Sequence, residues 1–111
     1  MAQFAWPAFT ERRYDLHLVV AHVPAGICED PAALMKLLIE RLQPEGDFAL
    51  SSEQTTRETT LLCAFERGND ASVLIDALSA QEANKHSGWA SEFHCSIDKA
   101  TVDAVGRKPL V

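Results

Sequence analysis

"YDLHLVVAHV", residues 14–23, is the stretch on which the fold turns. It alternates with period two inside a strand of residues 13–23, setting Tyr14, Leu16, Leu18 and Val20 on one face and His17, Val19 and Ala21 on the other. The first set reads as the core face. Val19 and Ala21 are then apolar where a half-buried strand should be polar, so something is expected to cover them.

The segments that follow say what the strand belongs to. "VPAGICEDP" breaks it with Pro24 and Gly26, and Asp30-Pro31 offers an N-cap carboxylate and a pre-set φ for a helix over 31–42. Leu34, Met35, Leu38 and Leu42 recur there at helical spacing, and Pro44 lies beyond the end. "DFALSS" and "TTLLCAFE" alternate again, with Phe48, Leu50, Leu61, Cys63 and Phe65 inward, and the polar "SEQTTRE" between them reads as a hairpin loop. Asn69 or Asp70 is placed to cap a second helix carrying Ala71, Leu74, Ile75 and Leu78, with Lys85, His86 and Gly88 at its end. "WASEFHCSID" is the last strand, with Trp89, Phe93, Cys95 and Ile97 inward.

The order is β-α-β-β-α-β, which predicts a ferredoxin-like sandwich: one four-stranded antiparallel sheet with two helices on a single face. All 111 residues form one domain in this reading, with an aromatic arm (1–11), a βαββαβ core (12–98) and a tail (99–111). In the usual strand order the first and third strands are central, which sets Val19, Ala21, Ala49, Leu62 and Ala64 side by side on the face without helices. The expected cover is a second copy, pairing sheet to sheet as a homodimer. A monomer whose own N-terminal arm covers this face is the alternative.

Composition narrows the function classes. The net charge of -6 and the lack of clustered Lys and Arg oppose nucleic-acid binding. The N-terminal "MAQFAWPAFT" lacks a basic n-region, no apolar run approaches a membrane span, and three cysteines without metal spacing suit a reducing compartment, so a cytoplasmic location is expected. The five glycines are isolated, so no phosphate loop is expected, and no cofactor or metal motif is found.

In its first half the chain resembles the dimeric α/β-barrel proteins, which include muconolactone isomerases and antibiotic-biosynthesis-type monooxygenases. The likeness rests on a strand running to Val23-Pro24, the Asp30-Pro31 helix start and "ERLQPEG" at 40–46. The second half departs from the isomerase pattern. The resemblance implies a sheet-to-sheet dimer and a cofactor-independent isomerase or monooxygenase acting on a small aromatic or unsaturated acid; it carries over no catalytic residue.

Candidate chemistry comes from the residues themselves. If the first and last strands pair antiparallel about their midpoints, His17 falls near His94 with Glu92 on the same face, a set that suits a proton-transfer group or a weak divalent-metal site. Tyr14, His22, Gly26, Trp89 and Phe93 are the expected ligand contacts, at the mouth and lining of a small-molecule cavity. Two other readings stand beside the enzyme. One is a regulatory module resembling ACT-type domains, holding a ligand on the amides of "VPAGICED"; the other is a structural partner docking through "FAWPAF".

Overall fold

The computed structural model of the chain describes residues 3–11, 15–83 and 89–106. In chain order these form β1 (Gln3–Ala5), α1 (Trp6–Glu11), β2 (Leu16–Pro24), α2 (Pro31–Leu42), β3 (Phe48–Gln54), β4 (Glu58–Phe65), α3 (Gly68–Leu78), β5 (Gln81–Glu82), β6 (Trp89–Ser96) and α4 (Lys99–Gly106). Tyr14, Lys85, His86 and Gly88, singled out from sequence, lie outside the described residues.

The local rules explain the long elements well. Asp30 caps α2 by accepting the Ala33 N–H at 3.1 Å, Pro31 opens the helix, and Gln43 ends it in the left-handed region at φ 52°. The helix buries Met35 and Ile39 against the sheet. α3 buries Ala71, Leu74 and Leu78 and stops at Ser79, also left-handed. That stop comes before the Lys85-His86-Gly88 end expected from sequence, because the chain turns at once into the two-residue β5.

The ferredoxin-like expectation is corrected by the sheet. Among the described residues it has six strands in the order β1-β3-β4-β2-β6-β5, and it is mixed. β2–β4, β3–β4 and β5–β6 are antiparallel, but β2–β6 and β1–β3 are parallel. Among the described residues there are four helices rather than two. A period-two pattern carries no direction, so the alternation in "WASEFHCSID" fits a parallel strand as well as an antiparallel one.

The facing of β2 is also the reverse of the expectation. Val19, Ala21 and Val23 lie in the main core with Met35, Ile39, Cys63, Phe65, Leu74 and Cys95, beneath α2 and α3. Leu16, Leu18 and Val20 face the other side. Both sets are apolar, so the strand's own residues could not say which face the helices take; β2 is central, under helices on one face and partly covered on the other. The five positions expected to form one dimer patch are therefore divided. Val19 and Ala21, each 0% exposed, are under helices, while Ala49, Leu62 and Ala64 are on the opposite face.

That opposite face is partly closed by the chain's own N-terminal segment. α1 lays Phe9 onto Leu16, Ala49 and Ala64, with Trp6 and Trp89 packed alongside. Phe9 is 0% exposed and contacts Phe4, ring centroids 5.9 Å apart. β1 then adds a short parallel edge to β3. The aromatic residues of the arm are thus held against the domain by burial of apolar area.

Candidate functional site

Beyond the reach of α1, the face opposite α2 and α3 carries a row of titratable side chains across three strands. β2 supplies His22, β4 supplies Glu58, and β6 supplies His94 and Glu92. In the register, Val20 stands opposite His94 and Pro24 opposite Glu58, so His22 is the diagonal neighbour of both. Alternation gives His22, His94 and Glu92 the same face.

The contacts form one line. Glu58 Oε2 lies 3.0 Å from His22 Nδ1, His22 Nε2 lies 3.3 Å from His94 Nδ1, and His94 Nε2 lies 2.7 Å from Glu92 Oε1. Three of its members are partly open and the last is not: the Glu58 side chain is 42% exposed, His22 35% and His94 37%, but Glu92 only 4%. The line runs from a half-exposed carboxylate to a buried one.

The imidazole pair is arranged for a proton rather than a metal ion. The ring centroids are 5.6 Å apart with planes 20° apart, which is the 3.3 Å nitrogen contact plus about one ring radius at each end. The rings therefore meet edge to edge, with the two nitrogens aimed at each other and not at a common third point. Among the described residues no group of three or more His, Cys, Asp or Glu is set to hold a metal.

Counting protons shows what the line can do. Three links need three protons, and two neutral imidazoles bring two. A third proton, once taken up, has places on Glu58, on the ring pair and on Glu92. Moving it from one end to the other needs three short hops and no solvent.

Beside Glu58 there is a cleft of about 210 Å³ between the β2–α2 turn and the β3–β4 hairpin. Gly26, Cys28, Glu29, Asp30, Ser52 and Glu58 are among its walls. Gly26 has φ 89°, a left-handed turn that favours glycine, and a Cβ there would meet no atom within 4 Å.

The residues expected from sequence are only partly brought together. His94 and Glu92 meet as expected, but His17 is on the α2/α3 face, where Nδ1 contacts Ser91 Oγ at 2.9 Å and the ring lies against Gly68. The parallel pairing of β2 and β6 puts His22 at the place expected for His17. His22 and Gly26 belong to the chain and the cleft. Trp89 sits at the far end of the sheet against Trp6, ring centroids 6.0 Å apart, where a register shift in the β2–β6 pairing turns it away from Phe93 and Cys95. Phe93 pairs with Val19 in register and faces the α2/α3 side. Glu58 was missed because "SEQTTRE" reads as loop; its parity with Thr60, Leu62 and Ala64 was the available signal.

Two other expectations meet specific contacts. At the start of α2 the Asp30 carboxylate already takes the Ala33 N–H, so a negative charge stands where an anionic ligand would bind. The "FAWPAF" arm is folded onto its own sheet through Phe9. Among the described residues, no helix is long and apolar enough to cross a membrane.

Comparison with families of known proteins, with curated proteins and with solved structures finds no match to this chain.

Proposed function

We propose that this chain is an acid/base catalyst of isomerase type, with Glu58 at the substrate and His22, His94 and Glu92 behind it. The observation that carries the reading is the unbroken line of contacts from Glu58 to the buried Glu92. With Glu92 protonated, Glu58 is a base; with Glu92 ionised and Glu58 protonated, the same cluster is an acid. Proton hops through two imidazoles exchange the two forms.

The chemistry this supports is proton transfer at carbon next to a carbonyl. A substrate C–H bond breaks, its electron pair stays on the substrate as an enolate, and Glu58 takes the proton. Returning that proton to a different carbon closes the reaction without a co-reactant. The carboxylates Glu29, Asp30 and Glu58 around the cleft favour a neutral or cationic substrate over the unsaturated acid implied by family resemblance.

The test has a structural and a chemical arm. In ¹⁵N spectra, Glu92→Gln is expected to shift the ring signals of His94 and His22 together and leave those of His17 in place. In D₂O, the protein should catalyse α-proton exchange on at least one of dihydroxyacetone, acetoin and aminoacetone, and Glu58→Gln should slow it roughly 10²–10⁴-fold. Independent ring responses, or no exchange on any of the three, would overturn the reading.

A further inference from the structure

We propose that the His22–His94 pair is a pH-sensitive latch, held together by one shared proton and opened by a second. The latch rests on the ring geometry alone; its control of the site rests on the acid/base reading.

All four ring nitrogens are engaged within the line. The outer two face carboxylates, which only accept while ionised, so each of those links is filled by a ring proton. The inner two face each other at 3.3 Å, and that contact is a hydrogen bond only when one nitrogen carries a proton and the other does not. A ring pair with three protons meets all three demands. A fourth sets N–H against N–H and one imidazolium against the other, so the inner contact turns from attraction to repulsion.

The surroundings leave that contact as the weak point. Among the described residues, no strand carries Lys or Arg, so the imidazoles are the only side chains of the sheet that can become cations. The charged groups on this face come from Glu58 on β4, Glu92 on β6 and Glu53 on β3, one strand beyond Thr60. Asp98 follows β6 with its carboxylate held by Thr101, β5 sets neutral Gln81 opposite His94, and Arg57 and Lys99 stand outside the strands. Each imidazolium therefore keeps a carboxylate of its own, and the second proton acts against the inner contact alone.

The rings have room to part. Both are about one-third exposed, while the backbone around them is fixed by the β2–β6 ladder and by the Ile97 N–H donating to the His22 carbonyl at 2.9 Å. His94 is tied to the buried Glu92, whereas His22 is tied to the half-exposed Glu58. His22 and Glu58 are thus the half that swings outward. The line is then cut at its middle, and Glu58 is separated from Glu92 in acid.

The experiment follows ring ¹⁵N signals and ring-to-ring NOEs in the full chain from about pH 8 to about pH 5, the range over which imidazole side chains change charge. His22 and His94 are expected to respond together, each reporting both protonation events. The NOE between the rings should vanish with the second event while the backbone signals of β2 and β6 hold their positions. His22→Gln should leave His94 with a single event. Rings that stay in contact when both are imidazolium, or a His94 response unchanged by His22→Gln, would overturn the proposal. The α-proton exchange should fall roughly 10²-fold as the NOE is lost. Exchange that persists after the rings part would overturn the control of the site; parted rings in a chain that exchanges none of the three substrates would support the latch and remove the acid/base reading.

Discussion

Asp70 shows how a single side chain can hold two elements together. It is buried in the first turn of α3, and its two carboxylate oxygens accept the backbone N–H groups of Glu45 and Gly46 at 2.9 and 2.8 Å. The loop between α2 and β3 is thereby tied to α3. Asp70→Ala leaves two N–H groups without their acceptors and is expected to lower stability by about 2–4 kcal/mol, measured by urea denaturation. Asp70→Asn keeps one acceptor and should fall between. Gly46 belongs to the same contact: a Cβ there would stand 2.8 Å from Arg67 Cγ and 3.3 Å from Asp70 Oδ2. From sequence Asp70 is a candidate helix cap. It serves the neighbouring loop instead, a long-range partner that local capping rules do not contain. Glu58 was hidden for a related reason, since its partners His22 and His94 come from other strands.

Among the elements, α4 is the one whose hold depends most visibly on a surface carboxylate. The Thr101 N–H and hydroxyl both donate to Asp98 Oδ1, at 2.8 and 2.9 Å, and these bonds hold the Asp98 pKa below its ordinary value of 3.8. A group depressed in the folded state supports the fold above its ordinary pKa and loses that support as pH falls through the folded value. On acidification below about pH 3.8, amide exchange should therefore rise at residues 99–106 before α2 or α3 responds. Asp98→Asn should remove this pH dependence. α2 was readable from sequence to its bounds because Asp30, Pro31 and the Leu and Met spacing all agree. α4 was left in a tail because "VGRKPLV" drew the reading past it. β6 was found but not its direction, and β2 was found but turned over, since Leu16, Leu18 and Val20 are as apolar as Val19, Ala21 and Val23.

For the whole molecule, the decisive packing is that of the N-terminal segment on the face opposite α2 and α3. Phe9 closes a second small core with Leu16, Ala49 and Ala64. Phe9→Ala is expected to destabilise by about 3–5 kcal/mol in denaturant titration, and the coupled loss of Trp6–Trp89 packing should appear as altered tryptophan fluorescence. The need for a cover over β2 was legible from sequence, and at that end of the sheet α1 is the cover. The cluster on the open half has a further property: its two imidazoles are 72 residues apart in the chain. Closing so long a loop costs entropy, and the segment that must be closed holds α2, the β3–β4 hairpin and α3. A nascent or partly refolded chain that has assembled only β2, β3 and β4 would hold Glu58 and His22 without His94 and Glu92, so the proposed proton path would be complete only when β6 joins the sheet.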